Sequence, residues 1–167
     1  KNKDFFHFLE KNMDRILKCD LEVLKQVIKR SCEIKASVVM QDEKEKGIRK
    51  ILNYGHTIGH AIESALNYKI SHGNAIAIGM SYAAKLSAKF GFLHKGSVIR
   101  QNNLLEYIGL PHKLSHHKLK PKKILEHIQY DKKIINNKIN FVLLKSIGDA
   151  FVSDNIALED IKSILEE

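Results

Sequence analysis

The stretch Arg49–Met80, RKILNYGHTIGHAIESALNYKISHGNAIAIGM, constrains this chain more than any other part of it. Read as one helix at ~100° per residue, it puts Arg49, Asn53, His56, His60 and Glu63 on a stripe roughly 80° wide. Ile48, Ile51, Ile58, Ile62, Ala65 and Leu66 gather towards another side. One face is therefore suited to a core and the other to a polar cleft. Gly55 and Gly59 lie between the two faces, and each costs about 1 kcal/mol against alanine inside a helix. A cost of that kind points to close approach of another backbone.

Histidines at i and i+4 can aim their rings the same way, which is the spacing that helical metal sites use. Thr57 follows His56, so the glutamate of an H-E-x-x-H protease motif is missing. Ser71 is a suitable cap for a helix that has His72 in its first turn. Two helices meeting near the turn 67–71 would bring His72 towards His56. A bare H-x-x-x-H pair is more often surface decoration or a satisfied core group. Arg49, Asn53 and a third histidine, on a face with so few lysines, shift the balance towards a site.

These residues carry a family likeness. LNYGHTIGHAIE followed by HGNAIAIGM resembles the signature of the 3-dehydroquinate synthase family, within the sugar-phosphate cyclases. KASVVMQDEKEKGIRK, the GLP at 109–111 and the late DKK…INFVLLKSIGDA segment resemble it too. The likeness spans nearly the whole chain. Family members have an NAD-binding α/β domain followed by a mostly helical metal-binding domain, and this chain resembles only the second. The resemblance therefore implies that residues 1–167 form a single metal- and substrate-binding domain whose N-terminal NAD-binding half is absent here. It also implies a homodimer when the protein is intact.

For the site, the resemblance implies His56 and His72 as ligands of a divalent metal, zinc or cobalt, and His60 as the catalytic histidine beside it. Lys35, Arg49 and Asn53 match residues that grip the substrate, a sugar-acid phosphate, and Glu45 matches an active-site acid. On the residues alone Lys35 reads equally well as a lysine snorkelling to water, and Glu45 as part of a solvated loop. The family's third ligand is a glutamate in an A-E-V-I-K-type segment that would precede Lys1. Glu63 and Asp42 are weaker substitutes. Where the family usually reads H-G-E-A-V, this chain has Asn74, which removes a charge that either orients the metal-binding histidine or sits at a helix N-terminus. Lys133 and Lys138 are further candidates for the phosphate, with surface solvation the safer reading.

Composition sets bounds around this picture. At 167 residues and 44% hydrophobic content, the chain is long enough for one domain with a real core. No apolar run approaches the ~20 residues of a membrane span, and no signal peptide is evident. Cys19 and Cys32 form no metal or redox motif, so a reduced, cytoplasmic setting is expected. The net charge of +9 can signal nucleic acid. Yet the densest basic run, HKLSHHKLKPKK at 112–123, lacks interleaved aromatics for base stacking. No nucleic-acid or membrane partner is expected.

The remaining pattern is mainly α. Helices are expected over 4–18, with Phe5, Phe8, Leu9, Met13, Ile16 and Leu17 inward, and over about 21–40, capped by Asp20. The second has Leu21, Leu24, Val27, Ile28, Cys32, Ile34 and Val38 as its core face. Further helices follow over about 73–90, 97–108 and 121–129, the last begun by Pro121. INFVLL at 139–144 and AFVSD at 150–154 read as one small antiparallel hairpin before a final helix.

Three functions fit. The first is the C-terminal part of a 3-dehydroquinate synthase, an NAD- and metal-dependent lyase of the shikimate pathway, inactive as a fragment. The second is another sugar-phosphate cyclase or a metal-dependent alcohol dehydrogenase. The third is a non-enzymatic, basic helical binding module. Lys35, Arg49 and Asn53 together favour the first, because they suit an acidic substrate.

Overall fold

The computed structural model describes residues 1–114, 119–131 and 138–166. It is mainly helical, with one antiparallel hairpin. Helices α1 (Lys3–Leu17) and α2 (Leu21–Gln41) come first, then a 3-10 helix (Ile48–Asn53). Helices α3 (His56–Ala65), α4 (His72–Lys89), α5 (Lys95–Tyr107) and α6 (Pro121–Asp131) follow. Strands β1 (Lys138–Ser146) and β2 (Asp149–Ala157) then precede α7 (Leu158–Glu166). Among the described residues no helix is long and apolar enough to cross a membrane.

Local chemistry sets several of these boundaries. The Asn2 side chain accepts from Phe5 N at 2.8 Å to start α1, and the Asp20 carboxylate accepts from Glu22 N and Val23 N to start α2. Ser71 Oγ accepts from Asn74 N, so α4 begins at His72. The helix expected across Arg49–Leu66 is interrupted, however. Gly55 has φ +82°, a left-handed conformation that ends the 3-10 segment and opens α3.

The main core joins α3, α4, α6, the hairpin and α7. Ile58 and Ile62 of α3 meet Ile78, Tyr82 and Leu86 of α4, with Ile124 and Ile128 of α6. Ile139, Phe141 and Leu143 of β1, Ile156 of β2 and Ile161 and Ile164 of α7 complete it. Burying a side chain of this size contributes about 1.5–3 kcal/mol. β1 is buried on its other face too. Val142 packs with Val38 and Ile51, and Leu144 with Ala84, Leu93 and Val98. That explains why its sequence is a nearly continuous apolar run rather than an alternating one. Where the β1–β2 register shifts at Leu144, Ser87 Oγ of α4 accepts from Leu144 N at 3.0 Å and donates to Ala83 O.

The first two helices differ from expectation. Met13 is buried in α1, and Val23 and Val38 in α2. Leu17, Leu21 and Ile28 are 52%, 73% and 62% exposed, and Cys32 is exposed. Periodicity identified an apolar face here, but among the described residues α1, the 3-10 helix and, through Val142, β1 cover only part of it. Polar contacts help to hold α1 down. Glu10 takes a two-pronged ion pair from Arg100 of α5, and Tyr107 donates to Asp14.

Candidate metal and substrate site

The site begins where α3 crosses α4, and glycine makes that crossing possible. A Cβ on Gly79 would collide with the Gly55 carbonyl oxygen. One on Gly55 would lie 2.7 Å from Met80 N, and one on Gly59 2.6 Å from Ile76 Cδ1. The two backbones therefore touch, and His56 and His60 of α3 converge with His72 at the start of α4. Ring centroids are 5.2 Å apart for His56 and His60, 5.5 Å for His56 and His72, and 5.9 Å for His60 and His72. The approach of His72 to His56 expected from the turn at 67–71 is found.

Two of the rings have one nitrogen occupied. His56 Nδ1 lies 3.2 Å from the Tyr54 carbonyl oxygen, and His72 Nδ1 lies 3.1 Å from Glu63 Oε1. A carbonyl or a carboxylate oxygen only accepts, so each Nδ1 carries a proton, and in the neutral ring Nε2 is the nitrogen with a lone pair to offer. Burial, and then the neighbouring His60 and His72, push the His56 imidazole below its usual value, while the Tyr54 carbonyl opposes them. A neutral ring is the form that binds metal.

The donor set suits a borderline cation such as zinc or cobalt: imidazole nitrogens and a carboxylate, with no lysine in the cluster. His60, Glu63 and His72 also offer a set of their own, with ligand atoms within 4.8 Å of one another. His60, Glu63, Ser64 and Tyr68 line a cavity of about 310 Å³. Glu63 is nearly buried, at 9% exposure, whereas His72 is exposed. Asp42 is committed elsewhere. Its carboxylate accepts from the backbone N–H groups of Lys46, Gly47 and Arg49, which holds it well below the usual carboxylate range.

That capped turn organises a second cluster. Asn53 Nδ2 donates to Glu45 Oε1 at 2.9 Å, and Arg49 Nε lies 3.9 Å from Glu45 Oε2. Arg49 also donates to the Glu43 carbonyl. Glu45 has φ +53°, a strained conformation for a residue with a side chain. Lys35 is exposed and lines a separate cavity of about 510 Å³ with Phe5, Leu9, Leu52 and Tyr54. The structure thus gathers His56, His60 and His72 in one group and Glu45, Arg49 and Asn53 in another, joined through Tyr54–Gly55, with Lys35 beyond. Lys133 lies outside the described residues, as does the Lys138 side chain.

Sequence reasoning underrated Glu63. Its carboxylate meets His72, so in this chain the acid beside that ring comes from α3 and not from position 74. The signal was available, since Glu63 follows His60 by three and shares its face.

Residues 1–134 match the family model for the 3-dehydroquinate synthase C-terminal domain. The chain belongs to the 3-dehydroquinate synthase family. It is 47% identical over 167 residues to the 3-dehydroquinate synthase of Thermodesulfovibrio yellowstonii, covering 99% of this chain and 46% of that protein. It is 40% identical over 166 residues to that of Dehalococcoides mccartyi, with the same coverage. The chain therefore spans about half the length of the curated relatives it matches. Among solved structures, 2-deoxy-scyllo-inosose synthase complexed with carbaglucose-6-phosphate, NAD+ and Co2+ aligns with a TM-score of 0.75 and 31% identity, over 86% of this chain and 42% of that one. The 2-epi-5-epi-valiolone synthase of Streptomyces hygroscopicus subsp. jinggangensis, with NAD+ and Zn2+ bound, aligns with a TM-score of 0.86. It covers 99% of this chain and 46% of that one, and at 20% identity it supports the fold alone.

Proposed function

We propose that this domain is the metal- and substrate-binding half of a 3-dehydroquinate synthase, acting with an NAD-binding half of the same protein. The substrate would be 3-deoxy-D-arabino-heptulosonate 7-phosphate, converted to 3-dehydroquinate and phosphate. The observation that carries the reading is the convergence of three imidazoles, two of them with Nδ1 engaged and Nε2 presented. Relatives at 40–47% identity are all named 3-dehydroquinate synthase, which favours it over another cyclase. Those figures also weigh against a metal-dependent alcohol dehydrogenase and a basic binding module.

In this reading His56 and His72 hold the divalent metal, and a carboxylate from the preceding half completes the set. When bound, the metal acts as a Lewis acid that lowers the pKa of a substrate hydroxyl. His60, one turn from His56, would carry the proton needed near the leaving phosphate, without serving as a ligand of the metal. Arg49 and Lys35 supply positive charge for the substrate's carboxylate, with a bidentate grip available to the guanidinium. Asn53 offers an amide to its hydroxyls, and Glu45 orients both Asn53 and Arg49. A homodimer of the intact protein is proposed on family resemblance. The two exposed, unpaired cysteines suit a cytoplasmic setting.

The test joins this domain to an NAD-binding half and measures phosphate released from the heptulosonate. Release should require NAD and a divalent metal and should vanish in a His56→Ala, His72→Ala double variant. Equal activity in that variant would remove the proposal. Salt-sensitive DNA binding indifferent to chelators would support the basic binding module instead.

A further inference from the structure

Tyr54 and Gln101 form a buried polar link that the metal and substrate chemistry leaves unused. The Tyr54 hydroxyl lies 2.8 Å from Gln101 Oε1 and 3.0 Å from the Met80 carbonyl oxygen, so one hydrogen is shared between two acceptors. Gln101 Nε2 donates to the same Met80 carbonyl at 3.1 Å. Gln101 sits on α5 and is only 6% exposed. A polar group this deep is retained at a cost unless its bonds are made.

The location gives the link its meaning. Met80 lies on α4 where Gly55 touches it, and Tyr54 is the residue that immediately precedes Gly55. Tyr54 also carries the carbonyl that engages His56 Nδ1. One residue thus has its side chain fixed to α4 and α5 and its backbone fixed to an imidazole of the cluster. The residue between Tyr54 and His56 is the left-handed Gly55, which has no side chain of its own to fix the carbonyl before it. Besides the link, Tyr54 N donates to Ile51 O, Gly59 N donates to Gly55 O, and the Tyr54 ring packs in the two smaller apolar clusters. The link adds the one polar tie from this residue's side chain to α4 and α5.

We propose that Gln101, acting with Tyr54, is a positioning pair for the metal site, pinning the Tyr54 carbonyl so that His56 presents Nε2 to the ion. This rests on the metal-site reading above. Neither residue lies in the histidine cluster, so the role assigned to them toward the metal is one of positioning, although both line the cavity that Lys35 borders. Groups that orient a metal-binding imidazole typically change metal affinity about 10- to 100-fold when removed.

The test uses the full-length protein and Co2+ as the probe. Affinity is measured by competition with a chromophoric chelator, alongside the visible absorption of bound Co2+ and the Tm of the metal-free protein. Tyr54→Phe and Gln101→Met should each weaken Co2+ binding about 10-fold or more and alter the absorption band. Ser87→Ala also removes buried hydrogen bonds from α4, about two turns beyond Met80. It should lower Tm while leaving affinity and absorption unchanged. If Tyr54→Phe fails to fold, Gln101→Met and Gln101→Asn carry the comparison. Unchanged affinity and absorption in the Gln101 variants, with wild type binding Co2+, overturns the inference alone. An equal loss in Ser87→Ala indicates general loosening and overturns it as well. A wild-type protein that binds no Co2+ removes the metal-site reading and this inference with it.

Discussion

Glu63 accepts a hydrogen bond from His72 across the junction of α3 and α4, at 3.1 Å, while His60 stands one turn before it on the same helix. Because the carboxylate engages Nδ1, it acts on the ring's orientation and basicity and, in the proposed site, would leave Nε2 for a metal. Glu63→Ala should therefore weaken Zn2+ or Co2+ binding about 10- to 100-fold, and Glu63→Gln, which keeps an acceptor, should weaken it less. Titration calorimetry checks this. Equal loss in both variants would instead make Glu63 a direct ligand in the His60–Glu63–His72 set.

The His56 imidazole gives the metal-free protein a pH dependence whose sign is fixed. Burial lowers its pKa in the folded chain relative to the unfolded one. Above about pH 6.5 the ring is neutral in both states and stability is intact. As pH falls below that, the unfolded chain takes up the proton first, and stability is lost down through the folded value. The Tm should drop as pH falls below about 6.5, and drop less in His56→Gln. Identical thermal melts of the two proteins across that window would contradict the assignment. Glu10 and Asp42, held below the usual carboxylate range, add their losses at lower pH.

Glycine at 79 is a packing requirement, whereas glycine at 73 is not. An added methyl at Gly79 meets the Gly55 backbone, which cannot move aside cheaply. Gly79→Ala should cost about 1–3 kcal/mol or more in urea unfolding. Gly73, in the first turn of α4, has nothing within 4 Å. Gly73→Ala should be neutral or stabilise by about 0.4–1 kcal/mol.

Asp42 organises the turn that carries Glu45 and Arg49. Asp42→Ala removes the acceptor of three backbone N–H groups. Limited proteolysis should then cut within 43–47 faster than in wild type. In the joined enzyme the KM for substrate should rise without loss of Co2+ affinity. Unaltered cleavage would show that the turn stands without its cap.

Helix order, the hairpin and the meeting of the three histidines were legible because each rests on local chemistry: Asp20 and Ser71 as caps, Pro121 at a helix start, and an apolar run at 139–144. The break at Gly55 was not legible. Arg49, Asn53, His56 and His60 fit a 3.6-residue stripe even though the first two belong to a 3-10 helix. Four residues on a stripe cannot report a left-handed residue between them. The exposed Leu21 and Ile28 were also misjudged, since periodicity reveals an apolar face but not whether anything covers it. Gln101 escaped notice because its partners are 21 and 47 residues away.

The hairpin and α7 lie past residue 134, where the family model ends, yet they supply one wall of the core behind the histidine helices. Trimming the chain to the matched segment would strip Phe141, Leu143, Ile161 and Ile164 from Ile58, Ile62 and Ile78. The histidines would survive such a cut, but their scaffold would lose its dry backing. The smallest piece that can keep the trio aligned is therefore longer than the stretch by which its kinship is recognised.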